Sequence, residues 1–439
     1  MMVHPILERL RLLDPVERQG RLRRILPSWL EADGPNVALG TLCEVGEPDG
    51  AVPPVVAEVV KVDYDHIAMI PFGDTALLAA GAPVRALAED AAVPVGDSFS
   101  GRAIDALGRP IDGQGPIVAQ TKAPLFDILP EPLDRANSRQ SLVTGIRALD
   151  GLLTLGRGQR IGIFAASGVG KTSLLSQLAR QTEADRLVLC LIGERGREVE
   201  QLWSEDLPAA VRARTTMVAA TSDKPAALRV RAVHQALALA RHWRSQGEHV
   251  LLVLDSATRL AMAMRESGLA AGEPPTVRAY PPSVFSAIPR VIEHCGAVKA
   301  GGAISAVFTV LSESDEVDDP ISEMMKSLLD GHIVLSRGLA ERGQFPAIDI
   351  ARSVSRNMQR LISLEQLTQA RKVLSHIACY EESRTLIESG LYSRGSSAAI
   401  DAAIAAKPSI DAYLAQGLDE NCASDATKTK LAALAEATA

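Results

Sequence analysis

The sequence predicts a three-part chain: a small β-barrel, an α/β core on a mainly parallel sheet, and a helical C-terminal part. Three observations predict it. Between Arg21 and about Val95, short β-type runs alternate with turn residues. From about Thr144 to Ala351, near-continuous aliphatic runs alternate with stretches of helical spacing. Past Ser355, apolar residues recur at helical spacing alone.

Composition fits this build. The 439 residues allow two or three domains. Apolar residues make up 47% and charged ones 23%, as expected of a globular protein with a sizeable core. Aromatics are only 3%, so that core must be aliphatic. A net charge of −7 argues against nucleic acid as a partner, because the Arg9 to Arg24 cluster has no interleaved aromatics and reads as a solvated helix face. The five cysteines (43, 190, 295, 379 and 422) lack CxxC spacing, which predicts reduced thiols and no metal site. Arg9, Arg11 and Asp14 interrupt the N-terminal apolar residues, and no run of about 18 apolar residues occurs, so neither a signal peptide nor a membrane span is expected. The expected compartment is the cytoplasm.

Taken in order, residues 1–20 read as a helical arm with Ile6, Leu10 and Leu13 on one face. Residues 21–97 read as the barrel. Its strand candidates are Val37 to Leu39, Leu42 to Val45, Val55 to Val62 and His66 to Ile70, punctuated by Gly34-Pro35, Pro53-Pro54 and Gly73-Asp74. Closure into a barrel removes the exposed edges that short strands otherwise leave. Gly101 to Gly115 is turn-rich and Pro124 to Pro132 reads as an extended linker. The core, 98–356, has strand candidates Arg160 to Phe164, Leu187 to Ile192, Thr215 to Ala220, His249 to Leu254, Ala303 to Leu311 and His332 to Ser336. Such runs suit parallel strands covered by helices on both faces. Ala226, Val230, Val233, Leu237 and Ala240 mark one intervening helix. Residues 357–439 read as helices. Leu364, Leu367, Ala370, Leu374, Ile377 and Ala378 form one face, and Gly390, Gly395 and Pro408 break up the remainder.

The first strand of the core runs into Ala165-Ala166-Ser167-Gly168-Val169-Gly170-Lys171-Thr172, followed by a helical run from Ser173. Strand, glycine-containing loop and helix are the context of a phosphate-binding loop. Backbone N–H groups and a helix N-terminus there point at phosphate. Lys171 then reaches the β- and γ-phosphates, and Thr172 offers a hydroxyl to Mg²⁺, so ATP with Mg²⁺ is the expected ligand. Ala165 stands where the general pattern has glycine, which is tolerable if it keeps ordinary backbone angles. His249 to Leu254 ends in Asp255, a carboxylate suited to the metal side of such a site. Leu187 to Ile192 runs into Gly193-Glu194-Arg195-Gly196-Arg197-Glu198. On residue type alone, Glu194 is either a charged loop tip or the group that orients an attacking water.

The stretches Gly162-Ile163-Phe164 through Thr172, Gly193 through Val199, and Leu254-Asp255-Ser256 together resemble the export ATPases of flagella and type III secretion systems. So do Gly268 through Pro275, Tyr280 through Phe285, Leu329 through Arg337, Phe345 through Asp349 and Ser353-Val354-Ser355-Arg356. The matches span Gly101 to Arg356. That family is similar to the catalytic subunit of rotary ATP synthases. The resemblance implies a barrel, a RecA-like nucleotide domain and a helical C-terminal domain, assembled as a homohexamer.

It also implies a site. Ser167, Gly168, Val169, Gly170, Lys171, Thr172 and Ser173 bind the phosphates, Arg259 lies near them, and Phe345 packs on adenine. Glu194 activates water, Arg195 contacts the γ-phosphate, and Thr172 and Asp255 hold Mg²⁺, with Glu198 acting through water. Arg356 enters the neighbouring subunit's site. The loop Arg265 to Arg278 lines the ring's central opening and contacts a central stalk protein. Implied further partners are a regulator or peripheral stalk protein, the export gate, chaperone–substrate complexes and the inner face of the cell membrane. The competing expectations are a rotary ATP synthase catalytic subunit, a non-catalytic nucleotide-binding scaffold and, disfavoured by charge, a nucleic-acid translocase.

Overall fold

The structure is a computed structural model describing residues 18–26, 29–47, 53–87, 91–136, 139–311 and 319–438. The N-terminal arm, with Ile6, Leu10 and Leu13, lies outside them.

Six strands close the barrel: β1 Gln19–Ile25, β2 Leu30–Asp33, β3 Leu42–Val45, β4 Val55–Val62, β5 Ile67–Pro71 and β6 Pro83–Ala86, in the order β1-β2-β5-β4-β3-β6. Alternate residues point inward, so Leu22, Leu30, Ala32, Cys43, Val45, Val59, Met69 and Val84 fill it. Burial pushes the Cys43 thiol up to about 12, leaving an inert packing residue. The barrel differs from expectation in two respects. Val37 to Leu39 forms no strand, because the chain turns at Leu39-Gly40 to enter β3. β7 Ala92–Val95 lies outside the barrel and pairs with β9 Thr121–Pro124, past the short β8 Ala103–Ile104.

In the core, β10 Arg160–Ala165 leads through the phosphate loop into α1 Lys171–Gln181. There follow β11 Arg186–Ile192, β12 Thr215–Ala220, α2 Ala226–Ser245, β13 His249–Asp255, α3 Ala257–Ala270, α4 Pro282–Glu293, β14 Ala303–Leu311, α5 Pro320–Leu328, β15 Gly331–Leu335 and β16 Ile348–Ser355. The sheet order is β16-β15-β10-β14-β13-β11-β12-β8, parallel along this path except for the edge strand β16; Gly296–Val298 also pairs antiparallel with β14, and Arg135–Ala136 with Gly296–Val298. Strands β11 to β14 are buried almost throughout, which explains their unbroken aliphatic texture. Helix α2 presses Ala232, Val233, Ala236, Leu237 and Trp243 onto one sheet face. It also joins the barrel to the core: Arg231, 3% exposed, meets Glu58 of β4 at 3.1 Å and donates to the Gly40 carbonyl. Removing either charge strands the other, a loss of about 3–5 kcal/mol.

Among the described residues, one helical turn at Met358–Leu361 and three longer helices complete this part: α6 Leu364–Glu388, α7 Ala398–Leu414 and α8 Ser424–Ala437. The buried stripe of α6 is Gln366, Ala370 and Val373, flanked by half-buried Leu367, Leu374 and Ile377. Contrary to the predicted face, Leu364 is 77% exposed, at the start of α6 before its first buried residue, and Ala378 is exposed beside the half-buried Ile377. Gly390 and Gly395 do form the turn between helices, each with positive φ. Pro408 breaks nothing. It sits inside α7, where burial of Ala403, Ala406, Ile410, Tyr413 and Leu414 offsets the lost backbone hydrogen bond. Among the described residues, no helix is long and apolar enough to cross a membrane.

Candidate active site

Parallel strands deliver their C-terminal ends to one edge of the sheet, and the functional side chains gather there. β10 ends at Ala165, which keeps ordinary strand geometry, so its methyl costs the loop nothing. Gly168 and Gly170 adopt φ of 79° and 89°, values that favour glycine. A Cβ at Gly168 would meet nothing, which leaves that side of the loop open to a ligand. Val169 is 1% exposed and pins the loop to the core, while Ser167, Thr172 and Ser173 face solvent at the start of α1. The free N–H groups and dipole of that helix end favour a phosphate.

β11 delivers Glu194 and β13 delivers Asp255, 7% and 4% exposed. Lys171 Nζ lies 2.6 Å from Asp255 Oδ1 and 3.4 Å from Glu194 Oε1. Arg259, from the first turn of α3, meets Glu194 Oε2 at 3.2 Å. Gly193, with φ 67°, makes this approach possible: a Cβ there would come within 2.9 Å of Arg259 Cδ. The cluster therefore balances two cations against two carboxylates. Burial raises the Glu194 pKa, the negative charge of Asp255 adds to it, and Lys171 and Arg259 oppose it. A carboxylate made more basic in this way is suited to accept a hydrogen bond from, and polarise, a water.

The remaining predicted residues fall into two groups. Phe345, 43% exposed, stands over the loop, since a Cβ on Gly170 would lie 3.2 Å from its ring. Glu198 adjoins Glu194 and raises its pKa slightly further, while pairing at 3.7 Å with the largely exposed Arg195. Neither Arg195 nor Glu198 bonds Lys171 or Asp255 here. Arg356 is absent from the cluster. Its N–H donates to the Asp330 carbonyl, and Asp330 grips Arg160 at the start of β10, so Arg356 lies at the far edge of the sheet from its own loop. Residues 265–270 of the predicted central loop belong to α3. Only the stretch beyond Ala270 is irregular, with Arg278 and Ala279 at φ 49° and 62°.

Two residues at the site carried no motif. Thr309 of β14 donates from Oγ1 to Asp255 Oδ1 at 2.5 Å. Its only signal is a hydroxyl in an aliphatic run. Gln416, 5% exposed, donates its N–H to the Phe345 carbonyl at 2.8 Å. Its side chain donates to the Gly145 carbonyl and accepts from the Arg147 N–H.

The comparisons agree with this geometry. Residues 145–355 match the ATP synthase alpha/beta family, nucleotide-binding domain, and residues 362–433 match the T3SS EscN ATPase C-terminal domain. The chain is 41% identical over 422 residues to the flagellum-specific ATP synthase of Bacillus subtilis, covering 96% of each chain. It is 42% identical over 436 residues to the SPI-2 type 3 secretion system ATPase of Salmonella typhimurium, covering 98% of this chain and 99% of that one. The chain belongs to the flagellar and type III secretion ATPases. Among solved structures, the assembled ATPase EscN from the enteropathogenic E. coli type III secretion system superposes with a TM-score of 0.88. It is 39% identical and covers 95% of this chain and 100% of its own. EscN in complex with its central stalk EscO gives 0.87 at 37% identity. The chain is thus an ATPase with a barrel, a RecA-like core and a helical C-terminal domain. The match at 362–433 sets this export ATPase apart from a rotary synthase subunit.

Proposed function

We propose that this ATPase works as a homohexamer that hydrolyses Mg²⁺-ATP to energise protein export through a flagellar or type III secretion apparatus. The observation that carries the catalytic reading is the convergence of Lys171, Glu194 and Asp255 at the mouth of the phosphate loop. Thr172 and Asp255 fit Mg²⁺, an ion held by one or two protein oxygens together with substrate phosphates. When bound, Mg²⁺ neutralises charge developing on the phosphates.

The protein's own residues do the rest. Lys171 leaves the carboxylates for the β- and γ-phosphates. Loop N–H groups cradle the same oxygens, and Phe345 covers the adenine. Glu194, raised in basicity, orients the water that attacks the γ-phosphorus in line with the departing ADP oxygen. Arg195, Glu198 and Arg259 surround the γ-phosphate, the metal's waters and Glu194. Arg356, remote from its own site, enters the neighbour's. A scaffold role is disfavoured because Glu194 sits beside Lys171 ready to act. Partners proposed for this ring are a central stalk at the 271–280 loop, a regulator or peripheral stalk, chaperone–substrate complexes and the export gate, at the cytoplasmic face of the membrane. Phosphate release by Lys171→Ala and Glu194→Gln tests the site: each should fall by about 10²–10⁴-fold. Undiminished turnover in the double variant sinks the assignment.

A further inference from the structure

Thr309 is 0% exposed on β14, beside the tip of β13. Its hydroxyl has a single proton and two acceptors in view, Asp255 Oδ1 at 2.5 Å and the Leu254 carbonyl at 3.5 Å, so the carboxylate takes it. Valine would fill the same volume, and the strand's one other hydroxyl residue, Ser305, is bonded to Gly158 N–H and His249. A buried hydroxyl is costly unless bonded, so the position makes chemical sense only through Asp255.

That one oxygen also accepts from Lys171 at 2.6 Å, and among the described residues Oδ2 receives no hydrogen bond. We propose that Thr309 is a positioning residue for Asp255, holding Oδ1 when Lys171 departs for the phosphates and so keeping Oδ2 presented to the metal. The proposal rests on the reading of the site given above. A carboxylate turns easily about its terminal torsion, whose minima are broad. With Lys171 in place, two donors fix it. With Lys171 gone, Thr309 is the remaining one, and its β-branched side chain keeps the hydroxyl aimed. Outer-shell partners of this kind typically control metal affinity about 10- to 100-fold.

The test uses the full chain and a fluorescent ADP analogue, with Mg²⁺ titrated at fixed nucleotide and a parallel measurement in EDTA. Thr309→Val should raise the Mg²⁺ midpoint by about 10-fold or more while leaving binding in EDTA unchanged. Thr309→Ser should return the midpoint to that of the parent. An unshifted midpoint in Thr309→Val overturns the proposal. So does a Thr309→Ser midpoint shifted as far as that of Thr309→Val, which assigns position 309 to packing. Asp255→Asn separates the two levels. If it leaves the midpoint unmoved, the reading of the site fails. If it shifts the midpoint and Thr309→Val does not, only the role of Thr309 fails. Should Thr309→Val not fold, as judged by circular dichroism, Thr309→Cys replaces it under the same criteria.

Discussion

Arg356 illustrates what a single side chain tells about assembly. Its Nη2 donates to the Lys326 carbonyl on an exposed edge, where it serves no purpose in its own site. A guanidinium at the transferring phosphoryl group is worth about 10³–10⁵ in rate. Arg356→Ala should therefore retain ATP binding and lose about 10³-fold or more in kcat. Mixing it with Lys171→Ala subunits should restore part of the activity, because an interface can then combine an intact loop from one subunit with an intact arginine from the other. Co-assembled rings that stay inactive contradict action in trans. At this scale the sequence is informative wherever chemistry repeats as a motif: Lys171, Glu194 and Asp255 each stand in one, and the fold brings the three together. Thr309 and Gln416 were illegible, since each acts through one hydrogen bond made across strands or domains, and no local pattern encodes that.

Among the elements, the segment Ala415 to Glu420 has the most consequence. It leaves α7 and is gripped from three sides. Arg180 and Gln181 of α1 donate to the Leu418 carbonyl. Arg147 donates to the Tyr413 and Ala415 carbonyls and pairs with Glu420. The backbone N–H of Gln416 donates to the Phe345 carbonyl, and its side chain fixes that backbone by bonding Gly145 and Arg147. The helix that begins at the phosphate loop and the aromatic Phe345 that stands over that loop thus share one support. Gln416→Ala leaves the buried Arg147 N–H without its partner, a loss of about 1–3 kcal/mol, and the Gly145 carbonyl with the Cys422 N–H alone. The variant should show a raised KM for ATP with a smaller change in kcat, and earlier proteolysis within α6 to α8. Unchanged KM and unchanged proteolysis count against the link. Here the sequence was a good guide to the buried core strands β11 to β14, whose aliphatic runs begin and end where burial does, but not to the stretch Val37 to Leu39 or to the half-exposed β16. It was a poorer guide to helices. Pro408 is carried by tertiary packing, and the buried stripe of α6 includes the polar Gln366, whose amide reaches the Asp150 carbonyl. Hydropathy periodicity passes over such a residue.

For the molecule as a whole, the order of parts along the chain was legible, but the order of strands in the sheet was not, because parallel pairing is decided by crossovers rather than by any strand's own residues. The finished core also sets a response to acid. His249, 4% exposed and bonded to Ser305 Oγ at 2.8 Å, has its pKa pushed down to about 4, chiefly by burial and then by Arg157. In the unfolded chain it takes up a proton near pH 6.5. Its stabilisation is therefore complete above about pH 6.5 and is lost as pH falls towards 4, where the unfolded state binds one more proton than the native one. Relative to the parent, His249→Gln should lose less stability between pH 7.5 and 4.5, by up to about 3 kcal/mol, measured as the shift in urea midpoint. Equal shifts in both proteins refute it. The lysine of the phosphate loop has a wider consequence. With Asp255 and Glu194 already on its ammonium, the site carries its own stand-ins for the nucleotide's negative charge. Under the proposed function, ATP then enters by exchange: it gains only the difference between phosphate and carboxylate as partners of Lys171, and its departure is assisted by the two groups that take the lysine back. Under that same function, a subunit built this way gives up affinity in exchange for faster release of what it has cleaved.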